Sequence, residues 1–236
     1  MVKSVAELKN LHKGKVIFVV GSGASIDAYD LDFFKDKIIV GCNDIYKKIK
    51  VDFTICTHRC VLEGVDKTTI VASEVDPGPL EGNPNIIDTP HIYYTFKVGK
   101  YMAFEENLSD IGKDDTLCMG NSIGSFAINF AAHLGASSIF LVGLDCCLVD
   151  GKYSYDGYYA KGFWIQKDES SWENVRQYLN DFFLRNVKEI SIMRKKIKEV
   201  YGCTTVSLSP YIGLKNNGVL LSDYLSMNDV KRMASL

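Results

Sequence analysis

The sequence predicts an α/β class fold in three layers. A mostly parallel central sheet lies between connecting segments, with a lid insertion and a C-terminal helical element. Three observations predict it. Short apolar runs rich in Val, Ile and Phe recur along the chain, as strands buried on both faces do. Amphipathic segments separate several of these runs, which is the alternation of βαβ units. The 236 residues, 47% hydrophobic and 24% charged, suit a single domain over 1–236 with a sizeable core.

Taken in order, Val16–Val20, Ile38–Gly41, Phe53–Thr57, Ile70–Ala72, Ile139–Val142 and Thr204–Leu208 read as strands. Ser122–Leu134 reads as a helix, because Ile123, Phe126, Ala127, Phe130, Ala131 and Leu134 recur at three- and four-residue spacing. Asn121 or Ser122 can cap its start and Gly135 can end it. A second helix is expected from near Ser170 towards Tyr201. Ser170 and Glu173 have capping-box spacing, and an apolar stripe runs from Trp172 to Val200. The stripe leaves a break near Ile190–Met193 open. Two regions lack a period. Glu74–Thr116 holds all but one of the prolines and reads as a long loop with one strand, Ile92–Phe96. Asp150–Glu169 is aromatic and glycine-rich and reads as a lid or binding loop, about 150–169.

Composition narrows the function classes. Lys+Arg is 27 and Asp+Glu is 29, a formal charge of -2, so no basic excess supports sequence-independent binding to nucleic acid. The opening residues MVKSVAELKNLHKGK lack the apolar centre of a signal peptide. No apolar run approaches the roughly 20 residues of a transmembrane helix. The cysteine count, 7, is odd and reads as free thiols. The expected compartment is the cytoplasm.

Several strand ends carry chemistry. The first long run meets Gly21-Ser22-Gly23, followed by Ser25. A glycine turn after a strand can bring bare backbone N–H groups against a phosphate, or can be a tight connection and no more. Ile26 occupies the third glycine position of a dinucleotide fingerprint, and no Walker Lys-Ser/Thr follows. The second run ends on Asn43 and Asp44, at the sheet edge where ligands bind or as a cap for the next turn. Cys56, His58 and Cys60 match no common zinc spacing, and His58 stands as a candidate base or phosphate contact. The run Ile139–Val142 leads into Gly143 and Asp145. Asp145 there can hold a ribose, a metal or an acceptor hydroxyl, or can cap a turn. Tyr153, Tyr155, Tyr158 and Tyr159 can donate phenol protons to a phosphate, stack on a ring, or form a structural aromatic cluster.

HKGKVIFVVGSGASIDAYDLDFFKDKIIVGCNDIY, VDFTICTHR and GNSIGSFAINFAAHLGASSIFLVGLDCCLVDGKYSYDGYY together resemble the MptE-like family, whose members are 6-hydroxymethylpterin diphosphokinase-like. They also resemble the related bacterial sialyltransferases and motility-accessory-factor glycosyltransferases. The likeness covers about Gly14–Cys60 and Ser122–Tyr159. It implies a Rossmann-like domain that binds a nucleotide. By position it implies that Gly21, Ser22, Gly23 and Ser25 line the phosphates and that Asn43 faces the donor. It further implies that Ser122, Gly124 and Gly143 contact the nucleotide. Asp145 would hold the ribose or the reacting group, and Tyr153 or Tyr155 would steady the leaving phosphate. Ala24 stands where these families have proline, and no histidine follows His133, where the sialyltransferases carry a lid base. The acid-rich metal motif and the His-Gly-Asp-Asn element of the pterin enzymes have no counterpart.

The leading expectation is a metal-independent, sialyltransferase-like glycosyltransferase using a nucleotide-sugar donor, a CMP-sugar first. It would need no cofactor and would act on a glycan or small-molecule acceptor, with Asp145 or His58 as base and a homo-oligomer open. One alternative is diphosphate transfer from ATP, with Mg held by Asp145, Asp44 and Asp52. The other is a nucleotide-binding protein without turnover.

Overall fold

The computed structural model describes residues 2–56, 69–73, 93–96, 103–118, 120, 122–147, 149, 152, 154 and 172–208. Among the described residues, eight strands form one sheet: β1 Val2–Ser4, β2 Val16–Val20, β3 Ile38–Cys42, β4 Phe53–Cys56, β5 Thr69–Ser73, β6 Tyr93–Phe96, β7 Ser138–Val142 and β8 Thr204–Ser207. Their order is β1-β6-β5-β4-β3-β2-β7-β8, and every pairing is parallel. The chain therefore steps one way from β2 to β6, then crosses back to lay β7 on the other side of β2. The strand order reverses between β2 and β7, with Val20 beside Gly41 on one flank and beside Val142 on the other.

Three helices complete the described elements: α1 Phe104–Asn107, α2 Ile123–His133 and α3 Trp172–Tyr201. Alternation along the strands sorts the side chains to two faces. Ile17, Val19, Val40, Cys42, Ile139 and Leu141 join a core with Phe126 and Phe130 of α2 and Ile190, Met193 and Ile197 of α3. Val20, Ile39 and Val142 face the other way, under Ile26, Tyr29, Phe34, Ile45 and Ile49. That second layer is built of 3-10 turns: Ala24–Ala28 and Leu31–Phe34 before β3, and Asn43–Lys47 after it. The first turn ends at Tyr29, whose backbone is extended, and Asp30 opens the second by accepting the Asp32 N–H at 2.9 Å. That local bond competes with helical pairing and restarts the turn.

The strand expectations hold within a residue or two, and β1 was not expected. The helix at Ser122–Leu134 is found, with Ser122 as N-cap residue and Gly135 at φ +88° past its end. The break left open in the last helix is not formed, and α3 runs unbroken through Ile190–Met193. Thirty residues at about 1.5 Å each make it roughly 45 Å long, nearly three times α2. Cys42, Cys118, Cys146, Cys147 and Cys203 are free thiols, as expected. The proposed lid, about 150–169, falls outside the described residues apart from its isolated positions 152 and 154. No described helix is long and apolar enough to cross a membrane.

Both helices that flank the core run against the strands. The end of α2 is stitched to the turn before β2: the N–H groups of Asn10, His12 and Gly14 donate to the carbonyls of His133, Leu134 and Gly135 at 2.9, 2.8 and 2.8 Å. The start of α2 therefore lies at the opposite edge, beyond the strands' carboxyl ends. His133 ties the same joint from inside. Fully buried, it places Nε2 3.0 Å from the Val5 carbonyl, so Nε2–H donates there. Its buried Nδ1 has no hydrogen-bond partner among the described residues.

Burial lowers the His133 pKa, opposed in part by the Val5 carbonyl. Its folded-state pKa lies below the ordinary value of 6.5. As pH falls through that ordinary value, the unfolded chain takes a proton that the folded chain refuses. Stability therefore rises with pH in this window and is lost below it. The urea midpoint is expected to drop between about pH 7.5 and about pH 5, and His133→Gln is expected to flatten that slope. Equal slopes in the two proteins would contradict this account of His133.

Candidate functional site

Open α/β sheets bind ligands outside the carboxyl ends of their strands, where strand order reverses. Here that point lies between β2 and β7. β2 leaves the sheet through Gly21–Gly23 and β7 through Gly143–Asp145, side by side. Gly21 N donates to Val142 O at 2.8 Å, and Gly23 N to Gly143 O at 2.8 Å. The two exits are thus hydrogen-bonded past the end of the sheet.

This crossing accounts for the glycines. A β-carbon on Gly21 would lie 2.5 Å from Gly143 O. One on Gly23 would lie 2.5 Å from Asp145 Oδ2 and 2.6 Å from Gly143 O. Gly143 itself sits at φ +65°, and a β-carbon there would meet Ile26 Cγ1 at 2.6 Å and Gly21 O at 2.7 Å. Contacts so short do not occur in folded proteins, so all three positions need glycine.

Asp145 closes the corner. It is 2% exposed. One carboxylate oxygen accepts the Ser25 N–H at 2.8 Å, and the other accepts the Ser25 hydroxyl. Sequence reasoning expected Ser25 to line a phosphate and Asp145 to hold a ligand or a proton. In the fold the two residues hold each other. The 3-10 turn that follows Gly23 spans five residues, Ala24–Ala28, so the strand-to-helix macrodipole of a dinucleotide site is missing after β2. Ser22 is half-buried at the corner.

Two further residues at this edge were not singled out from sequence. Tyr29 donates its hydroxyl to Leu208 O at 3.0 Å. That bond ties the turn after β2 to the end of β8. Burial, and then the Asp145 charge, push its pKa up to about 12, so the phenol keeps its proton at neutral pH. Asp27 pairs with Lys48, which joins the turn after β2 to the turn after β3. Neither pattern was legible, because each partner is distant in sequence and each residue reads as ordinary turn composition.

Asn43 and Asp44 do stand at this edge, where the second run ends. Asn43 takes φ +54°, a left-handed conformation that asparagine tolerates better than most side chains. Asp44 is 1% exposed and lies 3.8 Å from Lys47 Nζ. Asp52 does not join them. Its carboxylate accepts the Ile39 N–H at 2.8 Å, just before β4, at the opposite edge from Asp44 and Asp145. The expected Mg-holding trio is therefore not brought together, and no group of three or more ligating side chains occurs among the described residues.

The start of α2 completes the edge. Gly124 lies against the Leu144 side chain, 3.1 Å from where its β-carbon would stand, so the helix start abuts the β7 exit. Ser125 donates its N–H and hydroxyl to Ser122 O at 3.2 and 2.7 Å. The Ser122 hydroxyl is buried with no partner among the described residues. Gly21, Ser22, Gly23, Ser25, Asn43, Ser122, Gly124, Gly143 and Asp145 thus share one edge of the sheet. His58, Tyr153 and Tyr155 lie outside the described residues.

No family model and no curated protein sequence matches the chain. Among solved structures, the chain is similar to the MAf glycosyltransferase from Magnetospirillum magneticum AMB-1, with a TM-score of 0.55 and 14% identity. That match covers 99% of this chain and 38% of the other, so the chain spans well under half of that neighbour's length. It is also similar to the sialyltransferase CstII from Campylobacter jejuni in complex with a substrate analogue, cytidine-5'-monophosphate. The TM-score there is 0.44 at 15% identity, over 93% of this chain and 87% of that one. The likeness to the MAf glycosyltransferase shows a shared α/β fold.

Gly23→Ala is expected to cost about 1–3 kcal/mol, since backbone and carboxylate must move together. Gly124→Ala meets only the end of a leucine side chain and is expected to be neutral or to stabilise by up to about 1 kcal/mol. Urea unfolding of both variants measures this. Equal effects would contradict the crossing as the reason for the glycines.

Proposed function

We propose that the chain is a glycosyltransferase-like enzyme that uses a nucleotide-sugar donor, a CMP-sugar in the first instance, without a metal. The observation that carries this reading is the convergence at one sheet edge. The β2 and β7 exits, Asn43 and the start of α2 meet where strand order reverses. The fold shared with a glycosyltransferase and the resemblance of the Gly14–Cys60 and Ser122–Tyr159 segments to MptE-like proteins and sialyltransferases support it.

In this reading the nucleotide lies across the corner. Ser22, Gly21, Gly23 and Gly143 form its floor, and Asn43, Ser122 and Gly124 its sides. Asp145 is a positioning residue, because Ser25 already occupies both of its oxygens. His58 takes the acceptor hydroxyl's proton as that oxygen bonds to the anomeric carbon. The bond from that carbon to the phosphate oxygen breaks, and the departing CMP carries away the electron pair. Tyr153 and Tyr155 donate to the phosphate as its charge grows. The acceptor is a glycan or small molecule carrying a free hydroxyl. The Mg-dependent diphosphokinase reading has less support, since Asp52 is held at the far edge.

Thermal shift with CMP, UDP, GDP and ATP, with and without magnesium, tests the proposal. CMP at about a hundred times its dissociation constant is expected to raise Tm by about 5 °C without magnesium. Absence of any nucleotide-dependent shift would sink the reading, and a shift by ATP only with magnesium would replace it by diphosphate transfer.

A further inference from the structure

The outer edge of β8 has no part in the corner or in the proposed chemistry, yet two cations of α3 are aimed at it. Among the described residues β8 ends the strand order, with β7 on one side. Hydrogen-bond direction alternates along a strand. Thr204 N donates to Ser137 O at 3.4 Å, and Leu208 N donates to Leu141 O at 2.8 Å. The backbone groups of Thr204, Val206 and Leu208 therefore face β7, and the N–H and carbonyl of Thr205 point away from the sheet. Outward backbone groups on an end strand are a template for another strand.

Arg194 covers that template. Its Nε and Nη2 both donate to Thr205 O, at 3.1 and 2.7 Å. A fork that would match the two oxygens of a carboxylate is thus spent on one backbone oxygen. Burial pushes the Arg194 pKa down, because the half-buried guanidinium is drawn out of water against the strand, but it keeps its charge at neutral pH. One helical turn later Lys198 donates to Gly202 O and Thr204 Oγ1, both at 3.2 Å. Two positive charges from one side of α3 so line the opening residues of β8.

The strand itself shows what this arrangement excludes. Thr204 and Val206 are exposed, Val206 to 37%, while Thr205 between them is 5% exposed. If β8 met β8 of a second copy about a two-fold axis, Thr205 would oppose its own counterpart, and the two would exchange both N–H···O bonds. Val206 of each copy would then oppose Thr204 of the other, at the close positions where β-branched side chains pack well. One patch would serve both copies, as a two-fold contact requires. The contact would also lengthen an existing apolar row. Phe18, Phe140 and Val206 lie side by side across β2, β7 and β8, with the Phe18 and Phe140 rings stacked at 5.3 Å. Arg194 stands in the way. Its donors already occupy Thr205 O, and the pairing would press two guanidinium groups together across the axis.

We propose that Arg194 is an edge guard, which closes β8 to strand addition and keeps it from pairing with β8 of a second copy. This does not depend on the donor-site reading.

Sedimentation velocity of the reduced full chain over about 10–200 μM tests it. One variant is Arg194→Met, which keeps an aliphatic stem and removes the donors. The second adds Val206→Lys, which puts a charge on the opened edge. The wild type is expected to sediment as a monomer. Arg194→Met is expected to self-associate at least about tenfold more tightly, and the added Val206→Lys is expected to reverse this. Thermal melting establishes that each variant is folded. A folded Arg194→Met whose self-association matches that of the wild type overturns the guard. Association of Arg194→Met that Val206→Lys leaves unchanged also overturns it, because the contact then lies elsewhere. If Arg194→Met does not fold, Arg194→Gln, which keeps a single amide donor, is measured in the same way. Failure of both to fold overturns the guard, because the guanidinium is then a strut that holds β8 to α3.

Discussion

The crossing of two strand exits organises this molecule. β2 and β7 are neighbours in the sheet, although 120 positions separate Ser25 from Asp145. Their exits pass so closely that Gly143 O lies against both Gly21 and Gly23. The approach leaves room for hydrogen atoms only at three positions, and Asp145 then fills the gap by accepting both donors of Ser25. A buried carboxylate is costly without such partners. Its two charge-assisted bonds fix the turn after β2 relative to the turn after β7. From that joint follow the site of Tyr29 on the end of β8 and the seating of Ile26 over Val20 and Val142.

The joint also governs what the edge can do. A glycine corner in this fold is often a cradle of free backbone donors. In this chain the chain's own carbonyl and carboxylate occupy several of those donors, and negative charge is built into the floor. A nucleotide at this edge would thus meet the buried carboxylates of Asp44 and Asp145, and the Asp145 oxygens are already taken by Ser25. The helical layer supports this arrangement from behind. α2 is pinned at its far end by His133 and the hydrogen bonds from Asn10, His12 and Gly14, so its start is held in place by its own rigidity.

Much of the fold was legible in the sequence for a physical reason. Parallel strands buried on both faces must be continuously apolar, and β2, β3, β4 and β7 announce themselves that way, whereas β8, TTVS, lies at the sheet's edge and buries only alternate residues. α2 is equally plain, because an apolar stripe bounded by a serine and a glycine has few other meanings. The misses are also physical. β1 is three residues, VKS, made a strand by pairing with distant β6 and not by its own composition. The need for glycine at 21 and 23 was readable as a close approach. That the approaching atoms are Gly143 O and Asp145 was not, since nothing local marks a partner so far along the chain.

The central claim is that a nucleotide occupies the edge between the β2 and β7 exits. Amide hydrogen exchange of the full chain with and without saturating CMP tests it most directly. Slowed exchange confined to residues 21–25, 43–46 and 122–126 is the expected result. Unchanged exchange at that edge, with protection instead at residues 9–14 and 135–137 on the opposite side of the sheet, would contradict it.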